Sequence, residues 1–259
     1  MAQALHAMHD KDIRSRVSAE EWQVRVDLAA AYRLVDHYGW TDMIFTHLSA
    51  RVPGPEHHFL INPYGLMFDE VTASNLVKVD LEGNIVMASD YEVNPAGFCI
   101  HSAVHMARED AQAVMHLHTD DGVAVAAMAA GLLPLTQTAM VIHDHIAYHE
   151  YEGVALDLSE RERLVKDLGD KKLMILRNHG TLAVGNTVSD CFLWLYNLER
   201  ACSMQVRAMA GGALYQPSAA ALATTRRQGQ SLMVNGKLDR LAWPALLRMI
   251  DRKDMTYRN

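Results

Sequence analysis

His116-Leu117-His118 closes a short apolar run, Ala113-Val114-Met115, and a third histidine lies far downstream in Arg177-Asn178-His179-Gly180. A strand alternates its side chains between two faces, so His116 and His118 project together while Met115 and Leu117 project the other way. Two imidazoles on one face can grip a metal ion. A third, brought from the end of another strand, completes the three-nitrogen set of a catalytic zinc site, with one position left for water or substrate. Fe2+, Mn2+ and Co2+ accept similar nitrogen sites, so the residues leave the ion open. After the pair, Thr119-Asp120-Asp121-Gly122 reads as a helix N-terminus, which puts both histidines where a strand ends. Strand ends are where α/β domains bind ligands.

The elements that must carry these residues are legible in outline. Ser18, with Glu21 three residues on, reads as a capping box, and Trp22, Val26, Ala30 and Leu34 recur on one helical face until Gly39. Residues 1–17 are expected to be loosely ordered. Stretches 44–51, 57–62, 76–80 and 85–87 read as strands, the last two joined by a turn at Glu82-Gly83-Asn84. Residues 97–108 read as a helix with Pro95 ahead of it. A short helix at 122–130, a mixed segment at 135–152, a helix opening at Ser159, a buried strand at 173–176 and a long helix at 188–209 follow. The alanine-rich, polar stretch from Ala213 reads as a mobile connector before a docking helix at 238–250. These divisions predict one domain over 18–212 with a C-terminal appendage over 213–259.

Composition narrows the function. The chain has 259 residues, half of them hydrophobic, enough to bury a sizeable core. Its formal charge of −7 is spread without basic runs, which gives no nucleic-acid footprint. No stretch approaches the ~20 apolar residues of a membrane span. The three cysteines, Cys99, Cys191 and Cys202, lie in no C-x-x-C pattern and read as core thiols rather than disulfides or metal ligands. A cytoplasmic protein acting on a small molecule is expected, with neither nucleic acid nor membrane as partner. The second H-x-H pair, His143 and His145, has no third ligand at a strand end and reads as a surface or interface feature.

Three motifs in order carry a resemblance. Asn62-Pro63-Tyr64-Gly65, then Val114 to His118, then Arg177 to Gly180 ahead of a long helix is similar to the class II aldolase/adducin family. Asn94-Pro95-Ala96-Gly97 and the run from Ile146 to Gly153 resemble its adducin branch. The resemblance implies a three-layer α/β/α sandwich with a mostly antiparallel central sheet, and a homotetramer with sites between subunits. It also implies that His116, His118 and His179 hold Zn2+, and that His47, Ser49, Asn62, Tyr64 and Gly65 lie at substrate-binding positions. In the family's aldolases the metal binds the substrate's carbonyl and hydroxyl oxygens and stabilises an enediolate during carbon–carbon cleavage.

Two departures set this chain apart. The sugar-phosphate aldolases have an acid/base glutamate at the position matching Gly97, and glycine has no side chain for that task. Tyr64 stands where their phosphate loop has a small hydroxyl residue, and His47 where it has an amide, which points away from a phosphorylated sugar. Candidates to replace the lost carboxylate are His101 on the helix behind Gly97, and Tyr148 and His149, with Tyr151, Glu150 and Glu152 nearby. The expected function is a metal-dependent lyase, aldolase or decarboxylase, using a small hydroxy or keto acid or sugar derivative through an enolate. An iron-dependent oxidative enzyme on the same histidines, or a non-catalytic adducin-like module, are the alternatives. The C-terminal Trp243, Tyr257 and Arg258 would dock on their own subunit or, less simply, close a neighbour's cleft.

Overall fold

Ser18 opens the first long helix: its hydroxyl accepts the Glu21 amide at 3.1 Å, and helix α1, Ala19–His37, runs until Gly39 takes a φ of +69°. The Glu21 carboxylate does not form the reciprocal half of a capping box. It is held by Arg25 Nε at 3.0 Å and Lys78 Nζ at 2.8 Å, because the wholly buried Arg25 needs a counter-charge more than the helix end needs a second cap. The computed structural model describes residues 13–154, 159–234 and 237–259. Most of the segment 1–17 therefore lies outside the described residues.

Seven strands form one sheet: β1 (His47–Arg51), β2 (Phe59–Ile61), β3 (Val77–Val79), β4 (Ala113–Leu117), β5 (Ile146–His149), β6 (Leu173–Leu176) and β7 (Gly180–Gly185). Their order is β3-β2-β1-β4-β7-β6-β5, and every pairing is antiparallel except β5 with β6. One face carries Leu48, Ala50, Met115, Leu117 and Ile175 against α1, α3 (Asp120–Ala126), α4 (Gln137–Ile142) and α6 (Val188–Ala210). The other carries Val114, Met174, Leu182 and Val184 against α2 (Pro95–Ala107) and α5 (Glu160–Leu168). Helices on both faces of an antiparallel-dominated sheet make the three layers expected from the motifs.

Several boundaries differ from the sequence expectations for local reasons. Residues 85–87 contribute only an isolated bridge from Ile85 to Val79, since the Asp80 carboxylate gathers the amides of Glu82 and Asn84 and tightens the turn. β7 was not anticipated: its short apolar run carries no periodicity that separates it from a loop. It follows β6 through a three-residue turn in which Asn178 takes the left-handed region at φ +57°. The stretch after Ala213 contains a 16-residue helix, α7 (Ala219–Val234), in place of a connector. Gly229 lets it approach α4 closely, for a Cβ there would sit 2.4 Å from the Val141 carbonyl oxygen. The last helix, α8 (Lys237–Asp251), docks on its own chain. Trp243 Nε1 donates to Asp27, Tyr257 is fully buried, and Ala73 N donates to the Tyr257 carbonyl.

Candidate metal centre

β4 is the middle strand of the seven, and the pleat works as the spacing demands. Met115 and Leu117 enter the α1/α6 core, while His116 and His118 turn to the other face. The β6–β7 turn brings His179 to them, and the three ring centroids stand 4.7, 4.7 and 4.9 Å apart. One nitrogen from each lies within 4.8 Å of the others, the single such group of possible metal ligands among the described residues. Gly180 makes this approach possible: a Cβ there would fall 2.3 Å from the Leu117 carbonyl oxygen and 3.1 Å from the His118 ring.

The second nitrogen of two rings is committed. His116 Nδ1–H donates to the Thr181 carbonyl at 2.9 Å, and His118 Nδ1 faces the Asp42 carboxylate at 3.0 Å. With those protons so placed, both Nε2 atoms present lone pairs to each other at 2.9 Å. Two lone pairs that close repel, and a shared cation removes the repulsion. Carbonyl and carboxylate partners on the outer nitrogens are the usual means of aiming imidazoles at a metal. Burial and then the neighbouring imidazoles hold His116 well below the ordinary histidine range and bring His179 down to about 4. Neutral imidazoles are what a divalent ion needs.

The trio opens into a cleft of about 480 Å³ whose walls include Phe45, Thr46, His47, Tyr64, Asn94 and Tyr151. Of the anticipated substrate positions, His47 and Tyr64 reach this cleft. Asn62 is buried with its Oδ1 accepting the Tyr32 hydroxyl at 2.9 Å, Ser49 is fully buried behind His47, and Gly65 turns the chain at φ +101°. The Gly97 position has a physical occupant: a Cβ there would meet the His47 ring, 2.5 Å from Cδ2 and 2.9 Å from Nε2. His47 pairs directly across the sheet with His116, its ring 5.1 Å away. An imidazole from β1 thus fills the space that a side chain on α2 would take.

The candidate acid/base residues fall elsewhere. His101 lies behind His47, with Nε2 2.8 Å from His47 Nδ1. His149 is 3 % exposed and pinned between Asp167 at 2.7 Å and Glu160 at 3.4 Å, against α5. Tyr148 points to the opposite face, where its hydroxyl accepts the Leu132 amide and Arg177 caps its ring at 4.4 Å. Period-2 alternation puts Tyr148 on the opposite face of the sheet, whereas His149 shares the trio's face but has both ring nitrogens tied to α5 by Asp167 and Glu160. Tyr151, beyond the strand, does line the cleft, its ring 6.5 Å from that of His179. Glu152 is held by Arg163. His143 and His145 sit in a 3-10 turn, bonded to Arg226 and packed on Trp194 respectively, far from a shared metal-binding geometry.

Two residues had escaped the sequence reading. Asp42 is 76 positions from His118, and no local pattern links them. Glu199 lies on the buried face of α6 with Leu195 and Cys202; Thr119 and Thr181 hydroxyls donate to it, and burial pushes its carboxyl up to about 7. A carboxylate interrupting an apolar helix face was the available signal.

Residues 26–206 match the model of the Class II Aldolase and Adducin N-terminal domain. The chain belongs to the class II aldolase and adducin family. An aldolase class 2 type protein of Caulobacter vibrioides is 57% identical, the match covering 97% of this chain and 98% of that one. Alpha-adducin of Mus musculus is 42% identical over 88% of this chain but only 33% of its own length. Among solved structures, an aldolase II superfamily protein from Pseudomonas syringae superposes with a TM-score of 0.93 at 52% identity, covering 96% of this chain and all of that one. L-fuculose 1-phosphate aldolase from Glaciozyma antarctica PI12 gives 0.79 at 29% identity, covering 93% and 94%. The adducin branch anticipated from the motifs is thereby present among the relatives, together with aldolases. Class II aldolases use divalent metals and small-molecule substrates, and the histidine trio fits a divalent ion. No helix among the described residues is long and apolar enough to cross a membrane.

Proposed function

We propose that this chain is a divalent-metal-dependent lyase, of aldolase or decarboxylase type, acting on a small hydroxy or keto acid or a sugar derivative. His116, His118 and His179 would hold the ion, Zn2+ first and Fe2+, Mn2+ or Co2+ as alternatives. The observation that carries this reading is the pair of Nε2 atoms 2.9 Å apart, each ring held by an oxygen on its far nitrogen. A divalent ion there supplies Lewis acidity, which polarises a carbonyl and stabilises the negative charge left when a neighbouring bond breaks. The protein's part is positioning. Thr181 and Asp42 hold two rings in one orientation, Gly180 seats the third, and the cleft has room for a small substrate. Tyr151 offers a phenolic hydroxyl at the cleft wall, and the buried free cysteines accord with a reducing, cytoplasmic setting.

Replacing His118 with alanine is expected to leave purified protein without stoichiometric divalent metal, measured by mass spectrometry, with the circular dichroism spectrum kept. Undiminished metal in the variant would overturn the assignment. A screen of hydroxy and keto acids with the metal found then tests the lyase reading. Oxygen consumption with iron and none with zinc would favour the oxidative reading. The likeness to alpha-adducin and the glycine at position 97 favour a second reading, a non-catalytic binding module, which predicts a protein that folds and assembles equally well when stripped of metal.

A further inference from the structure

Behind the metal trio, four buried side chains stand in a row that Lewis-acid chemistry does not use. They are His105, Ser49, His101 and His47, none more than 4 % exposed. Hydrogen-bond accounting fixes the sense of the whole row. His105 Nδ1 lies 3.0 Å from the Ala111 carbonyl oxygen, which can only accept, so that nitrogen carries the proton. A neutral imidazole has one N–H, hence His105 Nε2 is an acceptor, and the Ser49 hydroxyl at 2.8 Å donates to it. Ser49 has then used its proton and accepts from His101 Nδ1–H. His101 Nε2 is left bare and accepts from His47 Nδ1–H at 2.8 Å. One backbone carbonyl therefore leaves His47 with an unprotonated Nε2, on the side of the ring away from His101, in a residue that lines the cleft.

Neutrality of the row follows from its surroundings. None of the hydrogen bonds linking the three rings involves a carboxylate, and a buried unpaired charge is costly. Burial and the nearby Arg51 guanidinium hold His105 down to about 3, and burial with neighbouring histidines keeps His101 and His47 well below the ordinary range.

Thr46 supplies a second, independent observation. It is 2 % exposed, and its hydroxyl, buried in the cleft wall, has no hydrogen-bond partner among the described residues. Its backbone sits at φ +67°, where β-branched residues rarely go. A strained backbone and an unsatisfied hydroxyl side by side are costs that proteins retain beside ligands. No arginine or lysine lines the cleft among the described residues.

We propose that Thr46 and His47 form a subsite for an uncharged alcohol of the substrate, whose hydroxyl donates to His47 Nε2 and accepts from Thr46 Oγ1. A phosphate or carboxylate at this wall would face the His47 lone pair with no arginine or lysine beside it, whereas anion sites are built from donors and positive side chains. The proposal rests on the lyase reading only for what the metal holds at the substrate's other end.

The test begins on metal-free, full-length protein labelled with 15N-histidine. Two-bond proton–nitrogen spectra are expected to show His47, His101 and His105 all as Nδ1–H tautomers, and an Nε2–H tautomer at His47 would overturn the proposal. Zinc-loaded protein is then titrated with dihydroxyacetone and, separately, with inorganic phosphate. The His47 Nε2 resonance is expected to move with dihydroxyacetone and not with phosphate at equal concentration. Thr46→Val should weaken that response by about three- to ten-fold, the worth of one hydrogen bond. Movement with phosphate in preference to the neutral probe, or with neither, would overturn the subsite. Failure of zinc to bind would undercut the lyase reading alone, since the metal-free spectrum still decides the tautomer.

Discussion

Substituting Gly97 with alanine sets two effects of opposite sign against each other. Gly97 lies in the first turn of helix α2, where alanine is favoured over glycine by at most about 1 kcal/mol. The new methyl, however, would sit 2.5 Å from His47 Cδ2 and 2.8 Å from its Cγ. These are ring atoms close to the backbone of β1, in a residue held by the 2.8 Å bond to His101, so the ring cannot simply swing aside. Overpacking of this kind costs about 1–3 kcal/mol. If the ring turns out of the way, His101 Nε2 loses its donor inside the protein, a penalty of about 1–3 kcal/mol. The ring either stays and is overpacked or turns and loses its bond, so a cost of about 1–3 kcal/mol is set against about 1 kcal/mol of propensity, and Gly97→Ala is expected to destabilise the metal-free protein by up to about 2 kcal/mol in urea denaturation. In a His47→Ala background the obstruction is gone, and the same substitution should stabilise by about 1 kcal/mol. The coupling between the two positions is thus roughly 1–3 kcal/mol, read from a double-mutant cycle. Stabilisation by Gly97→Ala in both backgrounds would refute the claim that His47 occupies the space over position 97.

Two further outcomes follow from the burial of the histidines and from the shape of the cleft. The folded values of His47, His101, His105 and His116 lie below the ordinary 6.5, His105 at about 3, so the unfolded chain binds protons first. Stability of the metal-free protein should hold above pH 6.5 and fall as pH drops toward 3, each such histidine contributing up to about 1.4 kcal/mol per pH unit. A denaturation midpoint that stays level below pH 6.5 would contradict the neutral assignment. Phe45, Tyr64, Tyr151 and Val154 stand exposed around the cleft, which accords with a neighbouring subunit completing it, and sedimentation equilibrium is expected to give a homotetramer. A monomer at micromolar concentration would count against a site between subunits.

The sequence by itself determined what depends on near neighbours. Alternation in a strand sets the common direction of His116 and His118, Ser18 and Gly39 bound α1, and the apolar run 173–176 becomes β6 because nothing in it competes. The same alternation in β5 turns Tyr148 to the opposite face, and His149, on the trio's face, is tied instead to Asp167 and Glu160, although their motif made both candidates. Motif order carried the three-layer architecture. Tertiary structure alone decided the rest, because the deciding contacts join residues far apart in the chain. The register of β1 on β4 places His47 opposite His116, 69 positions on, and only that register lets an imidazole fill the space above Gly97. The long α6–sheet packing hides Glu199, and a loop 76 residues upstream delivers Asp42 to His118. Local propensity has no term for such pairs: they follow from burying one face of each strand at once, which fixes register across the whole sheet.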